Sequence, residues 1–370
     1  MDKSRAITGN QAWNGKNAVA PNTPIADMYD VMGMSHQQTA KLDIWHAGEP
    51  NKLVVMTECC SCETQRGEDA DLLSTRNASY IYASNEAAAC MGQKVAISDN
   101  VTWVGGTHSW TLHDYYGEPG ENNKWPHVSS SFGSYDLAGF DKAAAWWYRA
   151  WWLGGISLDD AGRPPLPHPQ TAVFCHLAES WQNSSNGTRT LNVYTNAPYA
   201  RVRVNGFVPS TGAAVAVDEY GSARFTTVPF AEGNVTAEAI STEDSEAEAL
   251  ASSTARSWGE PVAVVLSLDA PSVTTGTGSA VHMDGSDVAL IRATIVDANG
   301  VVVHNSSANV TFSVTDDGPA RIVGVGNGDP ADHTPAHASW KPCYHGLARA
   351  IVQARRTRIL SRFCAIPYDK

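Results

Sequence analysis

The stretch Asn51–Asp69, NKLVVMTECCSCETQRGED, decides the fold. Leu53 to Thr57 carry no charge and favour extended backbone, which suits a strand buried on both faces of a parallel sheet. That strand delivers Glu58 at its C-terminal end, the end at which parallel α/β sheets place their chemistry. The loop that follows contains three cysteines and then Arg66-Gly67.

Outward from this strand, the first part of the chain alternates strand and helix. Asp27 to Met34 reads as a strand, and Ser35 with Gln38 three residues on reads as a capping box opening a helix to Ala47, stopped by Gly48 and Pro50. Beyond the Glu58 loop, a helix is expected over Ala78 to Met91 and a strand over Val101 to Val104. A tryptophan-rich helix is expected from Phe140 to Leu153. A βα repeat of this kind implies a parallel sheet.

The texture changes at Gly154. GGISLDDAGRPPLPHPQ has the glycine and proline content of a linker, and strand signals then take over without helices. LNVYTN, ARVRVNG and NVTAEAI alternate apolar and polar residues, with Asn205-Gly206 as a hairpin turn and STEDSEAEALASS as an exposed hairpin or loop. A second strand-rich unit begins near Pro261. The final RRTRILSRFCAIPYDK loses the alternation and reads as an altered or truncated end. The expected fold class is therefore α/β followed by all-β. The domains expected are a barrel part over 1–160, a β-sandwich over 161–257 and a second sandwich over 258–370.

Composition narrows the partners. At 370 residues, 43% hydrophobic and 17% charged, the chain can bury two or three cores. A formal net charge of -12 argues against nucleic acid and against an anionic membrane surface, and no apolar run approaches the roughly 18 residues of a membrane span. A neutral substrate is the easier partner. The seven cysteines are scattered with no visible disulfide framework or zinc knuckle, so they leave the redox compartment undecided. Sequons at Asn77, Asn100, Asn183, Asn186, Asn234, Asn305 and Asn309 point to a secreted or lysosomal-type route for a eukaryotic source.

The order of motifs resembles glycoside hydrolase family 2, the β-galactosidase family. Thr57-Glu58 followed by a small-residue loop and Arg66-Gly67 is similar to its nucleophile segment. Trp110, Asp114, Gly117-Glu118-Pro119, Trp125-Pro126 and Asp136-Leu137-Ala138-Gly139-Phe140 are similar to its eighth strand, aromatic loop and closing helix. The VYTN and VNG segments resemble a first accessory sandwich, and DGSDVALIRATIVDANG, GVGNGDP and HGLARAIVQ a second. The resemblance implies the C-terminal half of a (β/α)8 barrel, two immunoglobulin-like sandwiches, and a retaining exo-glycosidase acting on terminal β-galactosides. A β-glucuronidase or β-mannosidase of the same family is an alternative, as is a non-catalytic fragment serving carbohydrate binding or assembly. It implies no organic cofactor, and no metal site is assigned. A full barrel takes about 250 residues, whereas about 150 precede the linker. The strand bearing the general acid/base is therefore expected to lie outside the chain, and the chain alone to be inactive.

Within that resemblance, Glu58 is the nucleophile, with Glu63 and Glu68 as less well placed rivals in the same loop. Trp110 is the platform under the sugar ring. His36 stands where the family has a tyrosine that hydrogen-bonds the nucleophile. Asp114 and Asp136 read equally as ligands of sugar hydroxyls or as turn residues. Arg66 reads as support for the loop or as a solvated charge. Cys59 to Cys62 read as small residues packed under that loop.

Overall fold

In a computed structural model, the run around Leu53 becomes the third of four parallel strands. The structure describes residues 4–12, 20–36, 39–67, 84–119, 125–154, 173–184, 186–244, 246–272, 278, 280–282, 284–315, 320–354 and 363–367. The strands are β1 (Thr8–Ala12), β2 (Val31–Ser35), β3 (Leu53–Cys59) and β4 (Val104–Ser109), hydrogen-bonded in the order β1-β2-β3-β4. Sequential order requires a crossover after each strand. α1 (Thr39–Gly48) connects β2 to β3, and α2 (Ser84–Asn100) lies between β3 and β4. Leu42 and Trp45 of α1, Met32 and Met34 of β2, and Val54 and Met56 of β3 are fully or almost fully buried in one core. α3 (Ala143–Gly154) closes this part with Ala144, Trp147 and Tyr148 on its inner face.

Several expected boundaries move. The strand expected over Asp27 to Met34 begins only at Val31, because Ala26–Met28 wind into a 3-10 turn and Asp30 is engaged by the Ile7 N–H at 2.8 Å. Gln38 of the expected capping box and residues 78–83 of the expected second helix lie outside the described residues. α2 runs nine residues past Met91, through Gly92, to Asn100. A Cβ at Gly92 would stand 2.5 Å from the Tyr220 ring, so the glycine lets the helix pack against a neighbouring unit rather than ending it. β4 accordingly starts where a strand was expected to finish.

Downstream the chain is strand only. β5 (Cys175–Leu177), β6 (Thr188–Thr195) and β9 (Ser222–Pro229) form one antiparallel sheet. β11 (Ala251–Arg256), β10 (Asn234–Ile240), β7 (Tyr199–Val204) and β8 (Val215–Ala216) form another. Leu191, Val193 and Phe225 from the first meet Val202, Val235 and Ala237 from the second in one buried core, with Trp181 at its edge. Asn205 and Gly206 both take positive φ, at 48° and 86°, and turn the chain between Val204 and Phe207. Ala251–Ser253, the end of the stretch expected as an exposed hairpin or loop, open β11, which pairs antiparallel with β10.

A third core follows. β12 (Ala263–Ala270), β13 (Val288–Val296), β17 (Leu347–Ala354) and β15 (Ala320–Gly326) make one sheet, and β16 (Trp340–Pro342), β14 (Asn309–Val314) and β18 (Phe363–Pro367) the other. β18 lies in the segment that lost its alternation, yet it pairs antiparallel with β14 from Pro367 to Phe363. Ile291, Ile295, Val310, Phe312 and Val352 fill the space between.

Two histidines at the seams titrate unusually. His176 on β5 stacks on Trp146 of α3 at 4.5 Å, and His304 lies edge-on to Trp258 at 5.2 Å. Although each ring keeps an edge toward solvent, desolvation first, with Arg149 beside His176 and Arg66 near His304, lowers both to about 4. The unfolded chain binds these protons near 6.5, so their contribution to stability is complete above that pH and is lost as pH falls toward 4. Between pH 7.5 and 5, urea unfolding is expected to lose on the order of 2 kcal/mol per ring, and His176→Phe should remove its share of that slope. A slope unchanged by the substitution would show that His176 does not carry it.

Candidate functional site

The ends of β2, β3 and β4 bring three of the expected residues to one edge of the parallel sheet. Glu58, the penultimate residue of β3, accepts a 2.7 Å hydrogen bond from His36 Nε2 through Oε1. The His36 backbone N–H also donates to the Glu58 carbonyl at 2.9 Å, and His36 sits at φ 52°, a left-handed turn that swings its ring over the carboxylate. Both side chains remain partly open, 44% for His36 and 32% for Glu58, so the pair is reachable by a ligand. Trp110 follows β4, and its backbone N–H donates to the Cys59 carbonyl at 2.8 Å, next to the carboxylate-bearing residue.

A polar layer lies behind this edge. Asn10 on β1 accepts through Oδ1 from Thr57 Oγ1 at 2.6 Å and from Ser35 Oγ, which links the strands on either side of His36 and Glu58. The Trp110 indole donates to Tyr115 Oη at 3.0 Å, and Tyr115 in turn donates to Glu118. Desolvation, reinforced by that carboxylate, raises the Tyr115 hydroxyl and keeps it a donor. Asn10, Tyr115 and Glu118 were not among the expected site residues. The one trace in the sequence is that polar residues stand at a strand end and in the loop after Trp110.

Asp114, Asp136 and Arg66 are held in ion pairs. Asp114 lies against Lys142 Nζ at 2.9 and 3.0 Å and accepts from the Gly133 N–H at 2.8 Å. Burial pushes its carboxyl up to about 6 and outweighs the opposing pull of Lys142. Asp136 is 1% exposed; it takes Arg66 Nε at 2.7 Å on Oδ2, and the Ala138 and Phe140 N–H groups at 2.9 Å on Oδ1. Arg66 continues to the carbonyl of Asn327, in the turn after β15, and lies over the rings of Phe140 and Tyr344 at 4.9 and 5.0 Å. These aspartates are interior clamps, and Arg66 is a buried tie from the Glu58 loop to the last β unit rather than a solvated charge.

The cysteines depart from expectation most. Cys59 is bridged to Cys60, and Cys62 to Cys90 of α2, with the Cα atoms of the second pair 6.1 Å apart. Among the described residues, Cys175 and Cys343 are free and buried. No group of three or more metal-ligating side chains is found among the described residues.

A cleft of about 1190 Å³ opens between the units, lined by Arg66, Phe140, Trp146, Trp181, Trp258 and His304 among others. Its lining includes none of Glu58, His36 and Trp110. Size alone would put a site there, whereas the convergent polar groups lie at the sheet edge. We place the candidate site at Glu58.

A carboxylate held at a parallel strand end by a neighbouring histidine, on a sheet followed by antiparallel units, is an arrangement suited to the glycoside hydrolases as a class. Residues 274–359 match the family model of the glycoside hydrolase family 2 C-terminal domain 5. A curated β-galactosidase of Bacteroides ovatus is 25% identical over 258 residues, covering 70% of this chain and 26% of that protein. In fold, the chain is similar to a β-glycosidase from Bacteroides vulgatus, with a TM-score of 0.70 and 19% identity over 92% of this chain and 45% of that one. A family 2 glycosyl hydrolase from Bacteroides cellulosilyticus gives a TM-score of 0.67 and 17% identity over 99% and 44%. The chain is thus similar to glycoside hydrolase family 2 proteins in its matched C-terminal segment and in fold. It spans about a quarter of the curated relative and just under half of these solved structures.

Proposed function

We propose that the chain carries the nucleophile side of a retaining exo-glycosidase site for terminal β-galactosides. The reading rests on one observation above the others: Glu58 at the end of β3, in a 2.7 Å hydrogen bond with His36. Glu58 attacks the anomeric carbon as the glycosidic C–O bond breaks and the aglycone leaves, and water then cleaves the glycosyl ester, releasing the sugar and restoring the carboxylate. His36 orients the carboxylate and disperses its charge, and Trp110 supplies an apolar face for the sugar ring. Asp114, Asp136 and Arg66 hold the surrounding loops.

Retaining chemistry needs a second carboxyl about 5–5.5 Å from the first. Asp114 and Asp136 are engaged by Lys142 and Arg66. We assign the acid/base to sequence outside these 370 residues, on further strands completing a (β/α)8 barrel of which β1–β4 form a part, with the two downstream units as immunoglobulin-like sandwiches. On this reading the chain alone turns over substrates that need a protonated leaving group at least about 10²–10⁴ more slowly than the complete enzyme. The choice of a neutral sugar over a glucuronide is favoured by the engagement of Arg66 and Lys142 with aspartates, which leaves neither for a substrate carboxylate. Two disulfides and the sequons fit maturation in an oxidising secretory route.

The test uses a leaving group that needs no proton. The chain is incubated with 2-deoxy-2-fluoro-β-galactosyl fluoride, then digested and mapped by mass spectrometry. A fluorogalactosyl ester on Glu58 is expected, at a slow rate. Glucuronosyl and mannosyl counterparts separate the sugar classes. Labelling of another carboxylate, or of none by any of the three reagents, would remove the enzyme reading in favour of a binding or assembly module.

A further inference from the structure

We propose that the Cys59–Cys60 and Cys62–Cys90 disulfides are positioning devices for Glu58, shaping the strand end on which the carboxylate, His36 and Trp110 meet. This deepens the reading of Glu58 as the nucleophile and rests on it. The four cysteines lie within the β3–α2 segment and all are consumed in these two bridges, whereas the free Cys175 and Cys343 are buried in the downstream β units.

The argument begins with the backbone of Cys60. Its φ of 65° lies in the left-handed region, which a residue with a Cβ rarely adopts unless its surroundings fix it. Two features fix it here. The side chain is joined to its neighbour Cys59, and the Cys60 carbonyl accepts the Cys62 N–H at 2.7 Å in a tight turn. Cys62 is in turn bridged to Cys90 on α2, which moors the turn to a helix of the main core.

What this turn sets is the geometry of the site. The carbonyls of Glu58 and Cys59, in consecutive peptide units, accept the His36 and Trp110 N–H groups at 2.9 and 2.8 Å. Those two bonds carry the histidine that touches the carboxylate and the tryptophan that follows the neighbouring strand β4. After the turn the chain continues to Thr64, whose N–H donates to the Ser131 carbonyl at 2.9 Å, and to Arg66 in its clamp. Without the left-handed residue the strand would run straight on, and the loop would lose these anchors. The bridges act through backbone position: Cys59 is 0%, Cys60 5% and Cys62 2% exposed, so these three side chains are nearly closed to substrate.

The test compares Cys59→Ala/Cys60→Ala with Cys59→Ala/Cys60→Gly in the full chain, glycine being at ease in the left-handed conformation that alanine resists. Non-reducing peptide maps of the unmodified protein first read the two bridges. Amide hydrogen exchange at His36 and Trp110 is then followed, with amides of β6 and β10 as internal controls. The alanine pair is expected to speed exchange at His36 and Trp110 by about 10- to 100-fold, with the controls unchanged, and the glycine pair to recover most of that protection. Cys62→Ala/Cys90→Ala should loosen the same two amides.

Fluorogalactosyl labelling supplies a second readout, in which the limiting rate should fall with little change in the half-saturating concentration. If Glu58 is not labelled even in the unmodified chain, the functional reading fails while the exchange data still decide the positioning. Free thiols at Cys59 and Cys60, unchanged exchange in the alanine pair, or acceleration spread equally over the control strands would each overturn the proposal.

Discussion

Glu58→Gln is expected to abolish labelling by the fluorogalactosyl fluoride and turnover of an aryl galactoside with a leaving group that needs little protonation. Amide nitrogen and oxygen cannot form the ester intermediate, and loss of a nucleophile from a covalent mechanism costs up to about 10⁶ in rate. Stability should barely respond. The carboxylate and imidazole are both partly solvated, and exposed pairs of this kind contribute about 0–1 kcal/mol. The ratio of the two effects is the diagnostic: a structural strand-end glutamate would lower stability and leave reactivity alone. His36→Phe should fall between, because the carboxylate keeps its nucleophilic oxygens and loses only the 2.7 Å hydrogen bond that orients it. Loss of labelling accompanied by more than about 2 kcal/mol of destabilisation would show that Glu58 holds the fold rather than reacts.

The sequence made β3 plain because Leu53 to Thr57 lack charge and end on a carboxylate, and that local signal needs no knowledge of the partners. His36 and Trp110 were singled out by their place in the resembling motifs rather than by a local signal, and they stand at the same end of the sheet as Glu58. β2 was misplaced because the polar-apolar order of Asp27 to Val31 imitates a strand, while contacts with Ile7 and a 3-10 turn set the real boundary. The second helix was expected to end at Met91, and the Tyr220 ring that packs on Gly92 within the longer α2 lies 128 residues away in sequence. The bridges and clamps were hidden in the same way. Cys62 and Cys90, or Arg66 and Asp136, have nothing in their spacing that pairs them; only the folded path of the loop after β3 brings them together.

The clamp carries the second large effect. Asp136→Ala is expected to destabilise the protein by about 3–5 kcal/mol, the range for removing one partner of a buried ion pair. The substitution leaves the Arg66 guanidinium, 7% exposed, between Phe140 and Tyr344 with the Asn327 carbonyl as its remaining acceptor among these contacts. It also strips the acceptor from the Ala138 and Phe140 N–H groups. Asp136→Asn keeps an oxygen for those two donors and removes the charge, so it should cost less. Gly328→Ala attacks the same point from the last β unit, because a Cβ there would stand 1.8 Å from Asp136 Oδ2 and the residue has a φ of +81°. Several cores share the chain, so the measurement is urea unfolding followed by exchange at amides of each unit, not a single midpoint. The loss should appear first in the loop after β3 and in the β15 turn, where Arg66 spans from one to the other. Were Asp136 instead a ligand of sugar hydroxyls, Asp136→Ala would weaken sugar binding and change unfolding by less than about 1 kcal/mol, and the buried clamp would have no mechanical role.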